Sequence, residues 1–263
     1  MKLRTDRKRL IITSGDSRVG KSTISRILLE LYLELNLKVR AYYSGERHKL
    51  SAYEKLLTVG NLALSQGGAD CLLINLEASR DTTVVLTDLP GQCLPQFKRF
   101  VEETAFFEAI ESVGYRITFL QPMSHRSDCV EYLKDLWEFS GDAADYVIVK
   151  NHHFGEAFPY YEKFKSDTQI LGDYGIELVL GNLSLSLYES LEGSHKSYGQ
   201  TVKCNQLYMI SRSGIFNWMN KFNNSIRNDL IPRSLLGLAY EPEVDQYQEP
   251  ELDNEEALEI INF

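Results

Sequence analysis

The chain has 263 residues, 43% hydrophobic and 25% charged, with a net charge of -9 at pH 7. That length can bury a large core, and no apolar run approaches the roughly 20 residues needed to span a bilayer. The basic start, MKLRTDRKRL, lacks the apolar segment of a secretory signal, so the expectation is a cytoplasmic protein without membrane attachment.

In chain order, RLIIT (9–13) reads as a strand, and Ile24, Ile27, Leu28, Leu31 and Leu35 recur at helical spacing directly after the stretch SGDSRVGKST (14–23). The pattern then predicts strand 39–44, helix 50–64, strands 71–78 and 83–91, helix 95–113, strand 115–123, helix 128–139 and strand 145–151. Runs such as VVLTDL and YVIVK are apolar on both faces, as strands covered by helices on each side must be. The expected fold class is therefore α/β: a doubly wound, mostly parallel sheet with helices on both faces. Beyond residue 151 the spacing predicts helix 160–174, strand 176–181, a helical patch at 185–191 and a last helix from about 205 to 229, ended by Pro232.

The expected domain organisation is one nucleotide-binding domain over 1–238 and an acidic tail over 239–263. From Glu241 the tail holds nine acidic residues and no Lys or Arg, which leaves 28 acids against 28 bases in the rest of the chain. With Pro242 and Pro250 among those acids, the tail is expected to lack ordered structure as far as Asn254, with an apolar end, ALEIINF. Cys71, Cys93, Cys129 and Cys204 show no C-x-x-C pairing, which predicts reduced, mostly buried thiols, and the adjacent His152 and His153 lack a ligand partner at metal-site spacing.

The chemistry concentrates in SGDSRVGKST. Gly15, four residues, then Gly20, Lys21 and Ser22 is the spacing of a phosphate-binding loop. Between a strand and a helix, the backbone N–H groups of such a loop converge on phosphates, Lys21 reaches the terminal phosphates, and the Ser22 hydroxyl ligates magnesium. Thr23 is placed to contact phosphate oxygens. The strand TVVLTDLPG ends in Asp88, an acid positioned to complete the magnesium shell through water, while the glycine loop that Gly91 opens senses the γ-phosphate.

These residues resemble the ParA/MinD group of deviant P-loop ATPases, which includes TraL-like proteins of conjugative plasmids. That group carries K-G-G-x-G-K-[ST]-[ST], which Val19, Gly20, Lys21, Ser22 and Thr23 match, and DLPG (88–91) is similar to its second magnesium motif. VRAYYSGERHKLS (39–51) has the place and length of the segment after the group's second strand, and VIVKN (147–151) looks like the strand whose final Asn reads adenine. The resemblance, covering residues 9 to about 228, implies ATP and ADP with Mg as ligands, Asn151 as a base contact, and an ATP-dependent homodimer that positions or segregates cargo such as plasmid DNA.

Two positions depart from the group. Its signature lysine is Asp16 here, a carboxylate that must turn from phosphate or pair with Arg18 or another cation, with Arg18 the candidate to supply the missing positive charge. Its aspartates stand at Tyr43 and Gly45, leaving Glu46 as the nearest acid to act on the attacking water; a surface-loop glutamate is the alternative reading. Two functional readings follow. One is an ATP-driven positioning switch, with the basic and aromatic stretch 204–238 (Arg212, Lys221, Arg227, Arg233, Phe216, Trp218, Phe222) available for non-specific DNA unless its aromatics are core. The other is a catalytically weak nucleotide-binding adaptor that acts on a protein partner, partly through its acidic tail. No N-K-x-D motif points to guanine.

Overall fold

Seven short runs pair into one sheet in the computed structural model, which describes residues 7–46, 48–79, 81–168 and 175–239. They are β1 (Lys8–Thr13), β2 (Val39–Tyr43), β3 (Thr58–Asn61), β4 (Val84–Asp88), β5 (Tyr115–Met123), β6 (Ala144–Asn151) and β7 (Gly175–Leu180). All pairings are parallel and the order is β3-β2-β4-β1-β5-β6-β7. Between and after them lie helices α1 (Lys21–Glu34), α2 (Gln66–Ala78), α3 (Leu94–Thr104), α4 (Phe106–Ser112), α5 (Ser127–Ser140), α6 (Pro159–Asp167), α7 (Leu185–Glu192), α8 (Tyr198–Lys203), α9 (Met209–Arg227) and α10 (Leu230–Leu235).

The direction in which the chain steps across the sheet decides which face each helix covers, because parallel crossovers are right-handed. From β1 the chain steps outward to β2 and β3, which puts α1 on one face. Every later crossover steps the other way and lays α2 to α6 on the opposite face. Alternation along the strands follows: Leu10, Ile12, Val85, Phe119 and Ile148 pack with Leu72, Phe97, Phe100, Leu133 and Tyr161 of that second layer. Ile11, Leu86, Val147 and Val149 pack on the first face, where α1 supplies Ile24, Ile27 and Leu31. Alone, α1 would leave the β5–β7 half of its face bare. The C-terminal helices α7 to α10 close it, and Trp218, Phe222 and Ile226 of α9 point inward to do so.

Several expected elements change. CLLINLEA, read as a strand, is the body of α2, with Leu72 and Leu76 buried and Ile74 exposed. A short apolar run has no periodicity to distinguish helix from strand, and here the flanking segment extends the helix back to Gln66. The helix expected over 50–64 is instead a 3-10 turn at Ser51–Tyr53 followed by edge strand β3, whose β-branched Thr58 and Val59 favour extension. The helix expected over 95–113 is divided at Ala105, which has a φ of 46°. Pro232 does not end a helix; it sits in the first turn of α10, where no N–H is needed, and Asp229 caps that turn by accepting from the Ile231 N–H at 2.9 Å. The acidic tail from Tyr240 onward lies outside the described residues, as does the end of the helix expected over 160–174.

At the edge of the sheet where the strands begin, Arg9 is fully buried and reaches Asp145 at 2.5 Å, while Arg116 donates to both Asp145 oxygens at 3.1 Å. Of the basic residues at the N-terminus, Arg9 is therefore a structural cation joining β1 to β6. Removing the carboxylate takes away a counter-charge that two guanidinium groups share, one of them wholly out of water. Asp145→Ala is expected to cost about 3–5 kcal/mol, the usual penalty for breaking a buried pair, read as a drop in the denaturant midpoint; a loss below about 1 kcal/mol would show that water reaches the pair.

Candidate functional site

The loop 14–20 runs from the end of β1 into α1 across the carboxyl ends of the central strands, where open parallel sheets place ligands. Its glycines are required by geometry. Gly15 has φ 128°, and a Cβ there would lie 2.9 Å from the Gln121 amide nitrogen; Gly20 has φ 99°, and its Cβ would lie 2.6 Å from Nδ2 of Asn151. A Cβ on Gly91 would overlap Ser17. The β4–α3 loop therefore packs directly on the phosphate-loop backbone. Arg18 also takes the left-handed conformation, φ 61°.

Lys21 is 6% exposed, and its Nζ donates to the carbonyls of Gly15, at 3.1 Å, and Asp16, at 2.5 Å. Burial lowers its pKa to about 8, against the opposing attraction of Asp88. The Ser22 hydroxyl donates to Oδ2 of Asp88 at 2.7 Å. Burial raises the Asp88 pKa, and its Oδ1 is buried with no hydrogen-bond partner. An orphaned carboxylate oxygen beside a hydroxyl fits a hard cation such as magnesium, for which oxygen donors are the preferred ligands. Thr23 Oγ1 and the Tyr188 hydroxyl share a hydrogen bond at 3.0 Å.

Asp16 is turned away from the cavity. Its carboxylate pairs with Arg126 at the start of α5, and Arg126 also pairs with Asp128 at 3.1 Å and donates to the Ser17 carbonyl at 3.4 Å. The cation that answers Asp16 is thus Arg126 rather than Arg18. Asp16, Asp128 and Cys129 stand close enough together to share a metal ion, but the Arg126 guanidinium already pairs with both carboxylates. Of the four thiols, Cys93 and Cys129 are buried, Cys204 is half-buried and Cys71 is exposed.

A cavity of about 560 Å³ opens in front of the loop. Arg18, Gly20, Lys21, Ser22 and Thr23 line it on the loop side, and Arg26 and Lys49 add two more cations. Its other walls are Phe154, Leu180, Leu183, Tyr188 and Trp218, the last fixed by an indole bond to the Gly181 carbonyl at 2.6 Å. Asn151 lines the cavity too, but its amide is engaged at both ends: Nδ2 donates to the Val19 carbonyl at 3.0 Å and Oδ1 accepts from the His153 N–H at 3.1 Å. Val19 itself is buried beneath the loop. Glu46 is exposed and lies outside the residues that line the cavity, and Tyr43 stacks on His48 with ring centroids 3.9 Å apart.

Sequence reasoning did not single out Gln121, Arg126, Lys49, Tyr188 or Phe154. A signal existed for Gln121, a polar residue inside the otherwise apolar β5 end. Lys49, Tyr188 and Phe154 come from segments distant in sequence and carry no motif. In the 204–238 stretch, Trp218 and Phe222 are core, Phe216 is 54% exposed, and Arg227 pairs with Glu34 at 2.5 Å. No helix among the described residues is long and apolar enough to cross a membrane.

No protein-family model matches this chain, and no curated protein matches it either. Similar solved structures include the signal recognition particle receptor FtsY from Elizabethkingia anophelis in complex with GDP, at 12% identity and TM-score 0.49, covering 69% of this chain and 60% of that one. They also include the MinC:MinD cell division protein complex of Aquifex aeolicus, at 14% identity and TM-score 0.47, covering 81% and 95%. FlhF complexed with GTP/Mg(2+) is similar at 16% identity and TM-score 0.46, covering 68% and 67%. The all-parallel sheet with its strand, glycine loop and helix gives this chain the P-loop NTPase fold.

Proposed function

We propose that this protein is a nucleotide-driven switch of the ParA/MinD kind. In this reading it holds Mg-ATP in the loop cavity, hydrolyses it slowly, dimerises when ATP is bound, and so positions cargo such as plasmid DNA or conjugation machinery. The observation that carries the nucleotide part is the composition of one cavity. Cations and glycine backbone on the loop side suit a polyphosphate, while Phe154, Leu180, Leu183 and Trp218 offer an apolar seat for a base. Gly15, Val19 and Gly20 form the cradle, Lys21 and Arg18 supply charge, Ser22 and Asp88 hold magnesium, Thr23 touches phosphate, Gly91 follows the γ-phosphate, and Asn151 borders the base. Bound magnesium neutralises charge on the phosphate oxygens.

Slow turnover follows from the acids. Glu192 is the one carboxylate among the described lining residues, and Arg26 occupies both of its oxygens at 2.7 and 2.6 Å, with Tyr198 donating to one at 2.5 Å. It is not free to orient water. A second reading, a catalytically weak adaptor, is favoured by the bare apolar start of α9: Tyr208, Met209 and Ile210 are 84%, 77% and 81% exposed. In that reading the same cavity holds nucleotide, and the patch and acidic tail meet a protein.

Calorimetric titration with Mg-ATP, Mg-ADP and Mg-GTP, with turnover followed in the same samples, tests this. Lys21→Ala is expected to weaken ATP binding about 100-fold, the loss of charge-assisted phosphate contacts, while Arg18→Gly, which suits the left-handed backbone, weakens it less. Turnover by the intact chain is expected on the order of 10⁻³ s⁻¹, as in P-loop enzymes without a catalytic arginine in place, and light scattering should find dimers with ATP but not with ADP. Binding without turnover or dimerisation would favour the adaptor, and ATP affinity unchanged by Lys21→Ala would remove the assignment of the nucleotide to this loop.

The pH dependence has a definite sign. Burial holds the free Lys21 at a pKa of about 8, and phosphate brought against it raises that value, so the complex holds more protons than the free protein above pH 8. ATP affinity is expected to fall as pH rises beyond 8 and to stay independent of the Lys21 titration well below it, where the ammonium contributes fully, with net proton uptake on binding near pH 8. Titrations in two buffers of different ionisation enthalpy read that uptake directly; identical heats would place the Lys21 titration elsewhere.

A further inference from the structure

A second cavity, of about 340 Å³, lies against the first and shares Arg26, Lys49 and Glu192 with it. Its size falls within the range of about 300–1,000 Å³ typical of small-molecule sites. Beyond the shared wall its lining is again basic, with His48, His195 and Lys196, and Glu192 is its one acid among the described residues. That acid is already taken by Arg26 and Tyr198. His48 lies 3.3 Å from Glu54. Among the described residues, Lys196 donates to the Sγ of Cys204 at 3.1 Å and to the Oε1 of Gln206 at 3.2 Å. Neither Lys49 nor Lys196 pairs with a carboxylate among the described residues. The cavity therefore holds more positive charge than its own acids answer. His195 on its wall takes the left-handed backbone conformation, φ 53°, just after the end of α7.

We propose that this second cavity binds a small molecule bearing a phosphate or carboxylate group, with Lys49 and Lys196 as the anion's ligands and the hydroxyl of Ser51 as a further donor. The ligand would sit beside whatever fills the loop cavity, separated from it by the Arg26–Glu192 pair. The assignment goes beyond the nucleotide reading and does not depend on it, since Lys196, His195 and Ser51 line the second cavity alone.

The test uses the full chain carrying Lys21→Ala, so that the phosphate loop lacks its own lysine, and Lys196, which lines the second cavity alone, tells the two cavities apart. Inorganic phosphate and succinate are titrated separately by calorimetry. Binding of either is expected, with Lys196→Met and Lys49→Met each weakening it by about tenfold, the loss of one charged ligand. Lys134→Met, on α5 at the opposite face of the sheet, should leave it unchanged. Phosphate as the ligand bound would point to a phosphate monoester, and succinate to a carboxylic acid; each supports the site. No binding of either anion up to about 10 mM, or binding that Lys196→Met leaves intact, would overturn it. Thermal unfolding of each variant, with the wild-type transition retained, separates a lost ligand from a lost fold.

Discussion

The rest of the site depends on how closely the backbone of the phosphate loop can approach the ends of β5 and β6. Gln121 and Asn151 project from those strand ends into the space that a Cβ on Gly15 or Gly20 would need. Without side chains at these two positions the loop lies close on the strands, and a phosphate-binding loop of this kind meets its anion through backbone amides. Lys21 then folds back over the loop. Its ammonium is nearly out of water and bonds to the Gly15 and Asp16 carbonyls, which solvate a charge that burial disfavours. An incoming phosphate offers that charge a better partner than two carbonyls. The positive-φ glycines and the depressed lysine pKa are therefore two consequences of a single constraint, a loop pressed against the sheet.

Asp16 shows how the chain accommodates an acid in a loop built for anions. A carboxylate facing the cavity would repel phosphate; turned the other way, it pairs with Arg126 and ties the loop to the first turn of α5. The cations that face the cavity come instead from Arg18, Lys21, Arg26 and Lys49. Three of these stand on the loop or on α1 directly behind it, within the same subunit. Position 16 thus contributes an internal brace.

The sequence made some of this plain and hid the rest for physical reasons. Strands β1, β4, β5 and β6 are apolar on both faces, so their runs and the glycine loop between β1 and α1 could be read directly, and with them Lys21, Ser22 and Asp88. The segment 50–78 was misread because its signals are weak: β3 has four residues at a sheet edge, and α2 contains an apolar run too short to show a period. Arg126, Lys49, Tyr188 and Phe154 were out of reach because the fold alone brings them to the loop. Asn151 was readable as a strand-end polar residue, but its amide braces the loop at Val19, a contact that requires coordinates. Trp218 and Phe222 could be weighed as DNA-facing or core; the step of the chain from β1 to β2 decides between these, because it leaves half a sheet face that only α7 to α10 can cover.

That covering role gives the C-terminal helices a second consequence. Tyr188 and Glu192 on α7 and Trp218 on α9 are walls of the loop cavity, while Tyr208, Met209, Ile210 and Phe216, before and along α9, are exposed apolar groups. The two helices touch closely at Gly214, where a Cβ would come within 3.1 Å of Leu187. Tyr188, which shares a hydrogen bond with Thr23 of the loop, and the apolar patch are therefore carried by one pair of packed helices.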